Sequence, residues 1–288
     1  MDVPAVSGST TVRRMLLGAR LRRLREAKGL SREEAGFVIR ASDSKVSRLE
    51  LGRVSFKERD VADLLILYGV TDPAEREAML ALARQANQPT WWRAYDDVTP
   101  TWFQNYLGLE EAAVEIRSYE VHFVPGLLQT PAYTRAVVSS ALPRPTAEQI
   151  ERTVLLRSMR QKILTRADPP QLWVVLDELA LRRPIGDKKI MDGQLDYLLE
   201  VAESPRVALQ ILPLRSGRYA SSGGAFTLLR FAEPSLADVV YLENLVSALY
   251  LDRPEQVERY SEVMSQLCVE SLSPKATISY LAALRQKG

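Results

Sequence analysis

The sequence predicts a two-domain α+β chain, with an all-α bundle at the N-terminus followed by a mixed α/β domain. Three observations carry that expectation. Apolar residues recur at helical spacing, punctuated by capping residues, over residues 13–86. From residue 109 onward, β-branched and aromatic runs alternate with helical stretches. The 288 residues also exceed the ~100 to 200 of a typical single domain, so two hydrophobic cores are expected.

The N-terminal elements follow in order. Residues 1–12 are rich in Ser, Thr and Val without a period and are expected to form a flexible arm. From Arg13 to Lys28, Leu17, Leu21 and Leu24 recur at spacings of four and three, which predicts a helix with one buried stripe; Gly29 supplies its stop. Ser31-Arg32-Glu33-Glu34 is a capping box, because the Ser31 hydroxyl can accept from the Glu34 amide while the Glu34 carboxylate reaches back. A short helix to about Ile39 follows. Arg40-Ala41 breaks the period, and Ser42 is a fresh N-cap for a helix to about Glu50 that Gly52 ends. Two helices of about two turns each, joined by a short turn, make a helix-turn-helix. On the wheel of the second, Val46 and Leu49 lie inward. Asp43, Ser44, Ser47 and Arg48 face the opposite way, with Lys45 and Glu50 on the flanks. A helix that hides two apolar residues and shows small, polar and basic groups suits a major groove ~12 Å wide. Helices at Asp60–Tyr68 and Pro73–Gln85, the second capped by Asp72, complete the bundle.

Residues 87–108 form a junction crowded with Trp91, Trp92, Tyr95, Trp102, Phe103 and Tyr106. Such a cluster reads as an interdomain core or as a ligand cage, and the core is the favoured reading. Beyond it, strands are expected at about Ile116–Val124, Leu172–Leu176, Val207–Leu212, Phe226–Phe231, Val239–Leu242 and Ala248–Leu251. Helices are expected at about Thr130–Ser140, Thr146–Arg166, Lys188–Glu203 and Pro254–Leu267, giving one α/β domain over 109–288. The segment Val124, Pro125, Gly126, Leu127, Leu128, Gln129 lines a pocket or is simply a strand-to-helix turn with Thr130 as cap. Ser216–Gly224 resembles a phosphate-cradling loop only in glycine content and reads as a loop between strands.

Composition narrows the chemistry. The single Cys268 forms no internal disulfide or zinc cluster, and His122 alone builds no His triad or multi-His metal site. His122 sits in a strand pattern as a structural histidine, and Cys268 is expected to be buried on an amphipathic helix. The adjacent carboxylates Asp96/Asp97, Glu110/Glu111 and Asp177/Glu178 point in different directions within regular elements, so neither member of a pair suits a shared site. No nucleophile, base and orienting group can be nominated. The chain is therefore expected not to be an enzyme, with no catalytic residue, metal or cofactor. MDVPAVSGSTTVRR lacks the apolar core of a signal peptide, and no apolar run reaches the ~18 residues of a membrane span, so a cytoplasmic location is expected. Charge is uneven: Arg13–Arg59 holds 14 Lys and Arg against 6 Asp and Glu, leaving 24 against 30 elsewhere. A basic segment on an acidic body implies a polyanion partner for that segment.

The stretch LGARLRRLREAKGLSREEAGFVIRASDSKVSRLELGR resembles the helix-turn-helix of the Xre, Cro and phage-repressor-like family. WWRAYDD, SYEVHFVPGLLQTPAYTRAV, LLRSMRQKILTRADPPQLWVVLDELALRRPIG and VVYLEN resemble an uncharacterised C-terminal domain that accompanies such motifs in regulators of high-GC Gram-positive bacteria. The resemblance implies that Arg32 meets a phosphate, that Asp43, Ser44 and Arg48 face base edges, that Ser42 and Lys45 touch backbone or flanking bases, and that Arg53 closes on the neighbouring phosphate. Arg48 is the foremost candidate, since a guanidinium can pair with both acceptors of a guanine edge. Two positions depart from the family pattern. Arg40 stands where the turn usually has glycine, and Gly36 stands where alanine usually packs. The implied protein is a transcriptional regulator, a repressor by type, that binds double-stranded DNA as a homodimer. Its C-terminal domain would take a small-molecule effector or a small partner protein; the alternative is an antitoxin-like protein that neutralises such a partner and autoregulates its operon.

Overall fold

A computed structural model describes residues 10–141, 144–216, 224–233 and 236–287. The chain divides into two compact units. The first comprises residues 1–94, 104–112 and 233–236, and the second the remainder. Most of the glycine-containing Ser216–Gly224 segment lies outside the described residues.

The N-terminal unit is helical. α1 (Thr10–Ala27), α2 (Arg32–Val38), α3 (Asp43–Glu50), α4 (Glu58–Leu67) and α5 (Pro73–Ala86) surround a core of Leu17, Leu21, Val46, Leu49, Leu64, Leu65 and Met79. Each fully buried Leu, Val or Met contributes about 1.5 to 3 kcal/mol. α1 begins at Thr10, inside the stretch expected to be an arm, because Thr11 and Val12 are buried. Its stripe also differs from the expected one. Leu17 and Leu21 are buried and Leu24 only partly, and the next buried position is Arg25.

The aromatic stretch is largely helical. A 3₁₀ turn at Trp91–Tyr95 is followed by α6 (Thr101–Ala112), which the sequence reading left as a junction. Trp92 and Tyr106 are buried, and Trp91 meets Trp92 edge to face at 5.5 Å.

The C-terminal unit is built on one six-stranded mixed sheet, in agreement with the expected α+β layout. Its strands are β1 (Glu115–Glu120), β2 (Gln171–Asp177), β3 (Val207–Leu212), β4 (Phe226–Arg230), β5 (Val239–Glu243) and β6 (Ala248–Leu251), in the order β3-β2-β1-β4-β5-β6. β3, β2 and β1 run parallel, while β4, β5 and β6 pair antiparallel outward from β1. α7 (Pro131–Ser139), α8 (Ala147–Gln161), α9 (Glu178–Arg182), α10 (Lys188–Val201), α11 (Pro254–Glu270) and α12 (Pro274–Lys287) complete the unit. One sheet face carries Tyr119, Val175, Leu212, Phe226, Leu228 and Val240, closed over by Met264 and Leu267 of α11. The edge of β3 is covered: the Ile211 amide donates to Thr277 of α12, and the Leu272 amide donates back to Ile211. Covering an edge removes a template for unwanted pairing.

Three expectations are corrected here. β1 stops at Glu120, so His122 lies outside the strand and is exposed. The chain turns because Pro125 and the 3₁₀ turn at Gly126–Leu128 lead straight into α7. Cys268 is half-buried, its thiol pushed up by burial. α9 and α12 are additional helices. Asp177, the cap of α9, accepts from the Leu179 amide at 2.8 Å. Glu178 accepts from the Leu214 amide at 2.9 Å and from the Tyr280 hydroxyl of α12 at 2.8 Å. Two adjacent carboxylates thus serve two separate structural roles.

Candidate nucleic-acid interface

α2 and α3 are set by their caps. Ser31 and Glu34 form the reciprocal capping box, and that bonding holds the Glu34 carboxyl below its usual range. Ser42 caps α3 by accepting from the Lys45 amide at 3.3 Å. Val46 and Leu49 are buried, as the wheel requires, and Ser42, Asp43, Ser44 and Arg48 are exposed.

The join between the two helices resolves both departures from the family pattern. Arg40 keeps the left-handed conformation at φ 52°, although the residue is not glycine. Such a conformation costs a non-glycine residue about 1 to 2 kcal/mol. The turn brings the Ala41 amide onto the Gly36 carbonyl at 2.8 Å. It also brings the Ala41 carbonyl oxygen to 2.5 Å from where a Cβ on Gly36 would stand. Alanine at that position would collide with backbone. The two substitutions therefore belong together: a tight turn through Arg40 needs the missing side chain at Gly36.

α3 is anchored at its far end by contacts no local pattern announces. A Cβ on Gly18 of α1 would lie 2.5 Å from the carbonyl oxygens of Leu49 and Glu50, so only glycine lets the helices touch backbone to backbone. Glu50 is not on an open flank. It is buried and receives Arg25 through two hydrogen bonds, Nε to Oε1 at 2.6 Å and Nη2 to Oε2 at 3.0 Å. Arg25 also donates Nη1 to the Leu30 carbonyl at 2.7 Å, tying α1 to the entry of α2. Buried nearby, the Tyr68 hydroxyl is pushed well up by desolvation and by the Glu50 charge.

The predicted contact residues are partly engaged with one another. Arg32 on α2 pairs with Asp43 on α3 at 3.0 Å, both about half exposed. Half-buried Lys45 reaches Asp60 at 3.6 Å. Arg48 lies along its own helix, Nε donating to the Ser44 carbonyl at 3.4 Å. Ser47 is half-buried, and Arg53 sits just past α3, its amide donating to the Arg48 carbonyl at 2.8 Å. Not all of the basic segment is open to a polyanion, since Arg25 is buried and Arg14 donates to the Ala86 carbonyl at 2.7 Å.

The other nominated set divides between units: Trp91 and Trp92 belong to the first, and Tyr95 and Val124–Gln129 to the second. Val124, Pro125, Leu127, Leu128 and Gln129 are buried, and Gly126 is partly exposed. Gln129 donates to the Val124 carbonyl at 2.6 Å and accepts from Thr134 at 3.1 Å and from Arg157. Gln194 of α10 locks the turn, donating to the Leu128 carbonyl at 2.7 Å and accepting from the Thr130 amide at 2.8 Å. The local geometry is that of a strand-to-helix turn with Thr130 as cap and Pro131 as first helical residue.

A small helical unit presenting the outer face of a capped second helix defines a helix-turn-helix DNA-binding protein, regulatory rather than enzymatic in type. Residues 16–79 match the model of a helix-turn-helix domain. Residues 103–283 match the family described as a domain of unknown function (DUF5753), and the chain belongs to that family. No curated protein and no solved structure matches the chain. Among the described residues, no helix is long and apolar enough to cross a membrane.

Proposed function

We propose that this chain is a sequence-specific transcriptional regulator of the Xre type, acting in the cytoplasm. It binds operator DNA as a homodimer, and its C-terminal unit responds to an effector or partner. The observation that carries the reading is the outward row Ser44 and Arg48 on a helix whose inner residues Val46 and Leu49 are sealed in the core. Arg48 reads a base edge, with Ser44, Ser47 and Asp43 beside it; Arg32, Ser42, Lys45 and Arg53 meet phosphates or flanking bases. The Arg32–Asp43 pair opens on binding, so that phosphate takes the place of the carboxylate. Two such helices must be spaced by about one helical turn of DNA, ~34 Å, to read a two-fold operator.

The test is selection of binding duplexes from a random library, followed by fluorescence anisotropy of the winner and light scattering of the free protein. Enrichment of an inverted repeat and a dimeric mass are expected. A library that yields no enriched sequence would overturn the reading.

A second reading, capture of a small partner protein, draws support from the β5–β6 hairpin. Its tip is closed by the Asn244 amide on the Ser247 carbonyl and holds Leu245 and Val246 at 93% and 80% exposure. Co-purification of one stoichiometric small protein, lost on Leu245→Ser and Val246→Ser, is its expected result. An antitoxin-like role adds that this partner's activity is neutralised.

A further inference from the structure

The second face of the sheet ends in a group of charges that DNA binding leaves unused. Ser118 of β1 lies opposite Thr227 of β4, which lies opposite Tyr241 of β5. Because strand side chains alternate, Glu120 and Glu243, two residues further on, share that face. Ser118 Oγ donates to Glu120 Oε1 at 3.1 Å and stands 3.3 Å from Thr227 Oγ1, while the Tyr241 hydroxyl donates to Glu243 Oε2 at 2.8 Å. α8 brings two guanidinium groups to the same place. Glu120 lies in the field of Arg160 and Glu243, and Arg157 lies in the field of Arg160 and Glu243. Arg160 itself stacks on the Phe103 ring at 5.0 Å.

These charges are assembled without being paired off. Among the described residues Arg157 forms no ion pair, and its one hydrogen bond goes to the neutral amide of Gln129. Glu120 accepts only from the Ser118 hydroxyl, and Glu243 only from the Tyr241 hydroxyl. Glu120 and Arg157 are surrounded by protein but keep some accessible surface, as groups lining a recess do. Desolvation pushes the Glu120 carboxyl up to about 7 and the Arg157 guanidinium down to about 10, so both charges lack the solvent or partner that would stabilise them. Gly126 borders the same ground, since a Cβ there would stand 3.1 Å from an Arg160 nitrogen.

A purely structural network would have closed on itself. A metal ion or simple cation would meet the repulsion of Arg157 and Arg160, and a simple anion that of Glu120 and Glu243. A molecule bearing both signs satisfies all four. We propose that this recess binds a small zwitterion of the amino-acid class, its ammonium group received by Glu120 and Glu243 and its carboxylate by Arg157. The site gives chemical content to the effector response and rests on the regulator reading only for its consequence on DNA.

The test is isothermal titration of the full chain with the standard amino acids and γ-aminobutyrate, with acetate and methylammonium as single-charge controls. At least one zwitterion binds, and the controls bind about tenfold more weakly or not at all. Glu120→Gln and Arg157→Gln each weaken that zwitterion by about tenfold or more. Glu243→Gln, on an exposed side chain that leaves the core intact, does so as well and keeps the test valid if the buried variants do not fold. Absence of binding by every zwitterion, or unchanged binding to Glu243→Gln, overturns the proposal. Anisotropy on the selected duplex runs in parallel. Intact DNA binding without zwitterion binding removes the site and leaves the regulator; zwitterion binding without DNA binding does the reverse.

Discussion

The two units handle charges withdrawn from water in opposite ways. In the N-terminal unit Arg25 and Glu50 meet face to face, and every strong donor and acceptor between them is used. In the C-terminal unit Glu120 and Arg157 sit in a shared field, each bonded only to a neutral neighbour. A closed pair fixes geometry, here the position of the DNA-facing helix. Open charges cost stability and are kept only where something else is to complete them.

The closed pair is where the comparison breaks most sharply. Glu50→Ala leaves Arg25 buried without its carboxylate and is expected to cost about 3 kcal/mol, read as a drop in the urea midpoint of the N-terminal unit. If the open cluster were equally well satisfied, its removal would cost as much. Instead Glu120→Gln is expected to help at neutral pH. The folded carboxyl titrates near 7, above its unfolded value, so the native state holds the proton more tightly. The contribution is present below the unfolded pKa and is lost as pH rises through about 7, at most roughly 3 kcal/mol. Thermal melts of the wild type from pH 5 to 8 are expected to fall, and those of Glu120→Gln to stay level over the same range. A steep fall in the variant would refute the open-charge description.

Smaller effects sharpen the picture of the DNA-facing helix. Arg48→Ala is expected to cost about 1 to 3 kcal/mol on the selected operator and to relax one base preference, with the unfolding midpoint unchanged. Equal loss on random DNA would make it a phosphate contact instead. Arg40→Gly is expected to stabilise by about 0.5 to 1 kcal/mol, because glycine removes the left-handed penalty and returns only part of it as chain entropy. A lower urea midpoint for that variant would mean that the arginine side chain has an unseen compensating contact.

Much of the architecture was readable one segment at a time. Ser31–Glu34, Ser42 and Thr130 announce their helices because a cap bonds within three residues of itself. The six strands were legible from their β-branched and aromatic runs. α6 was hidden by its aromatic composition, which drew attention away from its period. α12 had a readable start, with Ser273 accepting from the Ala276 amide at 3.3 Å and Pro274 at the first helical position, but its apolar residues were left unexamined. At the interface, the outward set was legible from the wheel, while the Arg32–Asp43 and Lys45–Asp60 pairs were not, because they join different helices.

By itself, then, the amino-acid order determined the helices and strands, the division into a helical unit and a sheet unit, and which face of α3 points outward. Each follows from bonds and periodicities spanning a few residues. Only the tertiary structure decided that Arg25 is a buried anchor rather than part of a basic surface, and that Ser118, Glu120, Tyr241, Glu243 and Arg157 gather at one place. Electrostatic pairing depends on distance through space, and residues 25 or more than 100 positions apart acquire that distance only when the chain has folded.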